Sequence, residues 1–326
     1  MNQFATINHG YNNTFQPEKL SFGVVVPIEH YPNSPVPSMS DHMARAKQVE
    51  QLGFKALWLR DIPFNVPSFG DAGQLFDPFT YLGYLAGQTS EIALGVSSIA
   101  LPLHHPAHVA KAAASVDQLS NGRLILGVAS GDRPTEYPAM GIDFEKRGEL
   151  FREAFTYIRN AHQSFPTLDT KNYGNMNGDK DVLPKPVGQK IPMLITGYSQ
   201  QSLEWNAEHG DGWMNYPKNL YQQKYTIDEW RQLVAQSGDH DKPFMQPLYV
   251  DLQQNDDFRP EPIPLGLRIG ANHLVDYLEQ LQEVGTNHVA FNLRFNTMNM
   301  DQTLERLAEK VLPHFHKNEH VAQPHY

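Results

Sequence analysis

The stretch from Ile92 to Gly131, IALGVSSIALPLHHPAHVAKAAASVDQLSNGRLILGVASG, reads as strand, loop, helix, turn and strand. IALGV and RLILGVAS are short apolar runs typical of buried strands, and HVAKAAASVDQL between them carries apolar residues at helical spacing. Pro106 stands where a first-turn proline favours helix entry, and the triplet SNG ends the helix. The stretch therefore predicts a right-handed βαβ unit with parallel strands.

The same strand-then-helix period recurs along the chain outside this stretch. Eight apolar strand segments, each with a helical pattern after it, can be counted between Leu20 and His314. Strands that are apolar throughout are typical of a parallel sheet covered by helices. We therefore predict the α/β class and a single (β/α)8 TIM barrel over residues 20–315. The polar stretch 166–190 is too long for an ordinary connection and predicts an insertion between helix 4 and strand 5.

The two ends of the chain look different from the barrel region. Residues 1–19 are polar and Asn-rich and predict a loose N-terminal arm, and residues 316–326 predict a polar tail. We see no secretory signal and no run of about 18 apolar residues that would span a membrane. These features predict a cytoplasmic protein.

Composition excludes several classes of function. A formal net charge of −10 argues against nucleic acid or an anionic membrane as the partner. The absence of cysteine removes disulfides, thiolate metal sites and a cysteine nucleophile. His104 and His108 have a spacing that zinc could use on a helix, but Pro106 intervenes, so we predict no metal site and expect a capping or substrate-pocket histidine.

The run GVSSIALPLHHPAH, with VDQLSNGRLILGVASG after it, closely resembles the bacterial luciferase-like flavin-dependent monooxygenases. The resemblance extends over most of the chain, from about Leu20 to about His314. It implies a (β/α)8 barrel that binds reduced FMN or the deazaflavin F420 at the carboxyl ends of the strands. It also implies that part of the stretch 166–190 forms a small β-insertion between the two halves of the barrel. The substrate is not implied.

The segment ITGYSQQSLEW places a glycine at a strand end before Ser199, Gln200 and Ser202, which open a helix. Free backbone N–H groups and the helix dipole favour an anion there, although a simple capped helix fits the same residues. The resemblance implies that this segment holds the FMN phosphate. Tyr198 replaces a more typical acidic residue.

Two further points on the cofactor follow from the resemblance. It implies a non-proline cis peptide between Ser97 and Ser98 under the flavin ring, where an ordinary small-residue strand end is the alternative. Ser130 replaces a basic residue that some members carry, which leaves Arg133 as a substitute. The residues predicted to bind the cofactor are Ser97, Ser98, Ser130, Gly131, Gly197, Tyr198, Ser199, Gln200, Ser202 and Trp213.

Polar residues at the predicted strand ends are the candidates for catalysis. Arg60, Asp132 and Arg294 are predicted to act on the substrate or on flavin oxygens, although arginine–aspartate salt bridges between loops would explain them equally well. The histidine that luciferase uses after its second strand is replaced in the segment RDIPF, which argues against light emission. Asp61 and Asp132 form the one obvious carboxylate pair for a hydrolytic barrel, a weak alternative.

The resulting functional prediction is a flavin-dependent oxidoreductase. We expect a two-component monooxygenase that uses O2 and reduced FMN, delivered by a separate NAD(P)H-flavin reductase, on a small organic substrate. The alternatives are an F420-dependent dehydrogenase or reductase and a non-catalytic flavin-binding barrel. We also expect a homodimer and a mobile lid over residues 253–268, since that loop is long, Pro-rich and without apolar periodicity.

Overall fold

A computed structural model describes residues 3–238 and 240–315. The predicted tail, residues 316–326, lies outside the described residues. The strands are β1 (Ser21–Val25), β2 (Ala56–Leu59), β3 (Ala93–Ala100), β4 (Leu124–Ala129), β5 (Thr167–Thr170), β6 (Gly174–Asn177), β7 (Met193–Thr196), β8 (Gly212–Met214), β9 (Phe244–Leu252), β10 (Glu261–Ile263), β11 (Gly266–Ile269) and β12 (His288–Asn292).

Eight of these strands close a parallel barrel. The order of pairing is β1, β2, β3, β4, β7, β8, β9, β12 and back to β1, and every pair in this ring is parallel. Closure leaves no free edge in the ring, so its backbone groups are hydrogen-bonded within the barrel wall. The predicted (β/α)8 barrel is confirmed.

The helices are α1 (His9–Thr14), α2 (His42–Gln51), α3 (Pro78–Ala86), α4 (Pro106–Leu119), α5 (Glu136–Ala139), α6 (Arg147–Ala161), α7 (Leu203–His209), α8 (Leu220–Ser237), α9 (Ala271–Glu283) and α10 (Met300–Lys310). Local chemistry sets where they begin. Asp77 and Asn219 accept a hydrogen bond from an amide in the first turn of α3 and α8, and proline occupies the first position of α3 and α4. Pro106 starts α4 as predicted.

Two hairpins interrupt the barrel pattern. β5 and β6 form an antiparallel pair within the stretch 166–190. β10 and β11 form a second pair, and β11 also adds in parallel to the outer part of β9. The expectation that residues 253–268 contain no packed element is therefore wrong, while their role as a lid stays a prediction. Arg268 bonds the buried carboxylate of Asp251 at 2.7 Å, which ties the segment to the barrel.

The barrel interior is filled by one large side chain and its neighbours. Trp58 is fully buried there and donates through Nε1 to Nε2 of His288 at 2.9 Å. A Cβ added to Gly95 would lie 2.3 Å from the Trp58 ring, so only glycine leaves room for the indole at that position. Burial lowers the pKa of His288 to about 3, so its imidazole is neutral and accepts this hydrogen bond.

The N-terminal segment is packed and not the loose arm that its polar composition predicts. Phe4, Ile7, Tyr11 and Phe15 are buried in the same cluster as Trp58, at the end of the barrel where the strands begin. A polar residue between them makes hydrogen bonds to backbone groups: Asn8 caps α1 and also donates to the carbonyl of Leu124 at 2.8 Å. Apolar burial and these hydrogen bonds together fix the segment.

The motif VDQLSNGR acts in the framework of the barrel. Arg123 is buried and donates to four backbone carbonyls and to the hydroxyl of Thr89, at distances from 2.7 to 3.1 Å. Asp117 accepts from Asn8 at 3.0 Å and from the amide of Val187 at 2.8 Å. These contacts join α3, α4, the N-terminal segment and the stretch 166–190 at the end of the barrel opposite the carboxyl ends of the strands.

Candidate active site

Apart from Trp213 in β8, the predicted cofactor residues lie toward or beyond the carboxyl ends of β3, β4 and β7, which are neighbours in the ring. The peptide between Ser97 and Ser98 is cis, as the resemblance implied. The hydroxyl of Ser98 is hydrogen-bonded to the hydroxyl of Thr196 at the end of β7. Strands three and five of the barrel are thereby linked through side chains across β4.

The loop after β7 has an unusual backbone. Gly197, Ser199 and Gln200 all have positive φ, at 55°, 48° and 60°. The hydroxyl of Ser199 turns back to the carbonyl of Thr196 at 2.8 Å, while the amides of Ser199 and Gln200 have no acceptor among the described residues. Successive amides in such a turn form a concave donor surface suited to an anion.

The first turn of α6 packs against this loop. A Cβ added to Gly148 would lie 2.9 Å from Cβ of Gln200, and Gln201 donates to the carbonyl of Gly148 at 2.8 Å. Arg147, which precedes Gly148, rests its guanidinium over the ring of Phe144 at 3.8 Å. Sequence reasoning missed this arginine because it lies in a helical pattern with no motif around it.

Ser202 and Trp213 make hydrogen bonds that hold the loop after β7 and the start of α7. Ser202 is the N-cap of α7 and accepts from the amide of Trp205 at 3.2 Å. Trp213 is fully buried between the barrel and α8, against Trp230 and Phe244, and donates to the carbonyl of Gly197 at 2.6 Å. Direct flavin contact by Trp213 is therefore corrected: its side chain faces the helices because its neighbour in the strand, Met214, faces the barrel interior.

Tyr198, in contrast, is half exposed and meets the Trp213 ring edge-on at a centroid distance of 5.8 Å. At the end of β4, the carbonyl of Ser130 accepts a hydrogen bond from the hydroxyl of Tyr137. Gly131 has φ of 79°, and a Cβ there would lie 2.7 Å from that hydroxyl. A residue larger than glycine at position 131 would therefore displace Tyr137.

Three arginines, Arg60, Arg133 and Arg294, meet beside Asp71 and are called the arginine cluster below. Nη1 of Arg60 lies 2.6 Å and Nη1 of Arg294 lies 3.2 Å from the same Asp71 oxygen. Nη2 of Arg133 donates to the Asp71 backbone carbonyl at 3.1 Å. Burial raises the pKa of Asp71 and is the largest single effect. The charge and hydrogen bond of Arg60, the Gly73 amide and the Arg294 charge together lower it more, so the net shift is downward and the carboxylate is charged.

This geometry bears on two predictions. Arg60 and Arg294, predicted to be catalytic, are brought together, and each forms the salt bridge that was the alternative explanation. Arg133, the predicted substitute for a basic residue in the loop after β4, is turned away from the loop after β7. Its guanidinium stacks on Phe69 at 4.3 Å, on the side of the barrel where β2 ends.

Glu136 lies in the same connection as Arg133 and was also missed. It is 4% exposed, and its Oε1 has no hydrogen-bond partner among the described residues. Burial raises the pKa of its carboxyl to about 7, against an opposing effect of the Arg133 charge. Asp132, the third predicted catalytic residue, is exposed beside this pair.

Asp61 and His104 form a separate ion pair at 2.7 Å between the loops after β2 and β3. Burial lowers the pKa of His104, but the Asp61 hydrogen bond and charge raise it more, so the net shift is upward. His105 is the capping histidine, since its Nδ1 accepts from the amide of Ala107 at 3.2 Å. Within residues 3–238 and 240–315, no group of three or more His, Asp or Glu side chains is arranged to hold a metal ion.

The opposite end of the barrel carries a groove of about 500 Å³, lined in part by Phe4, Glu18, Arg231 and Thr286. None of the predicted site residues lines it. The polar and glycine-dependent contacts of the candidate site lie instead at the carboxyl ends of the strands. Among the described residues, no helix is long and apolar enough to cross a membrane.

A family model described as luciferase-like monooxygenase matches residues 20–257. The chain belongs to the luciferase-like monooxygenase family. This luciferase-like chain is 33% identical over 149 residues to the beta chain of alkanal monooxygenase from Photorhabdus luminescens. That match covers 44% of each chain, so the similarity spans less than half the length of the relative.

Solved structures share the fold of this luciferase-like barrel at low identity. Monooxygenase RslO1 from Streptomyces bottropensis has a TM-score of 0.76 and 18% identity, covering 90% of this chain and 99% of its own. An F420-dependent secondary alcohol dehydrogenase, bound to an F420–acetone adduct, has a TM-score of 0.73 and 17% identity, and the match covers 90% of this chain and 98% of its own. The FMN-bound oxygenating constituent of 3,6-diketocamphane monooxygenase from Pseudomonas putida has a TM-score of 0.72 and 15% identity, and the match covers 90% of this chain and 98% of its own.

Proposed function

We propose that this luciferase-like protein is the oxygenating component of a two-component monooxygenase that uses reduced FMN and O2 on a small organic substrate. The observation that carries the proposal is the loop after β7. Its amides at Ser199 and Gln200 are free of acceptors among the described residues, and Arg147 lies in the adjoining turn. Together they suit a terminal phosphate.

We assign the isoalloxazine ring to the other predicted positions. Ser97, Ser98, Ser130 and Gly131, at the carboxyl ends of β3 and β4, would lie next to it. When bound, the reduced flavin supplies the electrons and the site of reaction with O2. The protein's own residues hold the phosphate, exclude water and orient the substrate, and we assign the last role to Arg60, Asp132 and Arg294.

An F420-dependent reaction is the second candidate, because one of the similar barrels is an F420-dependent dehydrogenase. A non-catalytic flavin-binding barrel is the third. The separate NAD(P)H-flavin reductase, the homodimer and the cytoplasmic location stay predictions.

Anaerobic titration with FMNH2 and, separately, with reduced F420 tests the proposal. We expect saturable binding of FMNH2 alone, followed on admission of O2 by reoxidation slower than that of free FMNH2, because the site shields the cofactor from water. Binding of reduced F420 without FMNH2 would establish the second candidate. Tight binding of flavin with no reaction toward O2 would establish the third.

A further inference from the structure

Asp71 fills a site that three separate strands build. Arg60 follows β2, Arg133 follows the end of β4, and Arg294 follows β12, so the arginine cluster draws on positions far apart in the sequence. The Asp71 carboxylate takes the two contacts to Arg60 and Arg294, while its other oxygen accepts from the Tyr31 hydroxyl at 3.2 Å and the Gly73 amide at 2.9 Å. A carboxylate held by two guanidinium groups marks a strong anion site.

The arginine cluster has more donor capacity than Asp71 uses. Arg133 and Arg294 are 7% and 8% exposed, yet Nη1 of Arg133 and Nε of Arg294 have no acceptor in the part of the chain that the structure describes. A buried guanidinium N–H without an acceptor costs free energy, so such groups are normally satisfied. Two of them beside one carboxylate indicate that a larger acceptor fits the cluster.

The carboxylate that fills the site belongs to a loop, residues 62–76, that exposes much apolar surface. Phe64, Phe69 and Phe76 are 38%, 44% and 44% exposed. Two of its other hydrogen bonds to the rest of the chain come from the arginine cluster itself: Nη2 of Arg294 donates to the carbonyl of Gly70 at 2.8 Å, and Nη2 of Arg133 donates to the carbonyl of Asp71. The amide of Ala72 donates to the carbonyl of Pro35 at 2.7 Å, and the side chain of Gln74 donates to the carbonyl of Arg60 at 2.7 Å. A loop of this composition can leave its position at lower cost than a packed element.

We propose that the arginine cluster is the subsite for an acid group, a carboxylate or a sulfonate, of the organic substrate, and that Asp71 occupies it until such a substrate displaces the loop. That this organic anion is the substrate rests on the proposed function, whereas the binding of an organic anion to the cluster does not. A purely structural clamp would hold Asp71 permanently and would admit no external anion.

The test uses isothermal titration of the purified full chain with butane-1-sulfonate at constant ionic strength. Asp71→Asn removes the internal competitor and keeps the shape of the side chain. We expect it to bind the sulfonate about tenfold or more tightly than the native chain, since a competing occupant reduces apparent affinity by the fraction of open sites. Adding Arg294→Gln to this variant should abolish the gain.

The matched control is Asp241→Asn, which breaks a comparable 2.6 Å ion pair, Arg231 with Asp241, at the other end of the barrel. It should leave sulfonate binding unchanged. Equal binding of the uncharged butan-1-ol by Asp71→Asn would overturn the proposal, because apolar contact alone would then explain the affinity. So would a folded Asp71→Asn variant that binds sulfonate no better than the native chain.

A second measurement needs no variant. Chymotrypsin should cleave the native chain after Phe64 or Phe69 faster in the presence of butane-1-sulfonate, because displacement of Asp71 frees the loop. Unchanged cleavage would overturn the proposal even if Asp71→Asn fails to fold. Both measurements omit flavin, so a failure of the FMNH2 titration and a failure of anion binding are separate results.

Discussion

The hydroxyl of Tyr11 donates a hydrogen bond to the backbone carbonyl of Asp211 at 2.8 Å, across 200 residues of chain. The contact joins α1 to the residue that precedes β8. Asp211 is itself held through its side chain by Arg159 and Lys190, and its carboxylate accepts from the amide of Met193 at 2.9 Å. The N-terminal segment therefore belongs to the folding unit of the barrel.

Phe15→Ala should lower the free energy of unfolding by about 3–5 kcal/mol, since the ring is buried against Tyr11 and His288 and its loss leaves a cavity. Denaturant titration measures the change. Phe165→Ala is the matched control, because that ring is 58% exposed, and its effect should stay within about 1 kcal/mol. A loss for Phe15→Ala as small as that expected for the control would contradict a stabilising role of the N-terminal segment.

Arg123→Met should destabilise the fold by about 3 kcal/mol or more, since it removes every donor to the carbonyls around Ile92 and leaves them buried. Cofactor affinity should not change, because these contacts lie at the far end of the barrel. Thermal unfolding and flavin titration measure the two effects. Arg259→Met, at an exposed position, is the control and should alter neither quantity.

Glu136→Gln should stabilise the protein at high pH but not at low pH. Burial raises the Glu136 pKa from its ordinary value of 4.5 to about 7, so the folded state holds this proton more firmly than the unfolded state. Stability is therefore lost as pH rises from 4.5 to 7, by no more than about 3 kcal/mol, and the variant escapes this loss. Unfolding at pH 5 and pH 8 measures it. A difference between variant and native chain that is the same at both pH values would contradict the assignment, and Glu305→Gln, on the exposed face of α10, is the control.

Ser199→Asp should weaken FMNH2 binding by about tenfold or more, because a carboxylate would lie where the phosphate is proposed to bind, and like charges repel at short range. Equilibrium titration under anaerobic conditions measures the dissociation constant. Ser115→Asp adds the same charge on α4, away from this loop, and should leave the constant unchanged. If Ser199→Asp bound FMNH2 with the affinity of the native chain, the assignment of the phosphate to the loop after β7 would be wrong.

Local chemistry explains why much of the framework could be predicted from the sequence. Pro106 begins α4, and Gly53 has φ of 87° directly after α2, as the helix-stop pattern predicts. Serine is a common helix cap, yet Ser40 does not cap α2, because Asp41 precedes the helix with left-handed backbone and the hydroxyl of Ser40 pairs with Ser38. A proline or a glycine restricts its own backbone, whereas a serine chooses among nearby partners.

Long-range contacts explain what could not be predicted. Polar composition predicts a loose arm because asparagine is usually a surface residue. Asn8 and Asn12 instead make hydrogen bonds to the backbone. Asp71 carries no motif, and its position between Arg60 and Arg294 depends on closure of the barrel, which brings β2 and β12 together on either side of β1. The positions of Arg60 and Arg294 at strand ends could be predicted from the sequence, but the carboxylate between them could not.

The framework contacts of Arg123 and Asp117 have a practical consequence for protein engineering. They secure the residues just before β3 and β4 at one end of the barrel, while the loop at residues 62–76 lies at the other end. Random mutagenesis confined to that loop should yield libraries in which most clones still express and fold. Selection on such libraries would therefore compare clones that differ in the loop and share an intact framework.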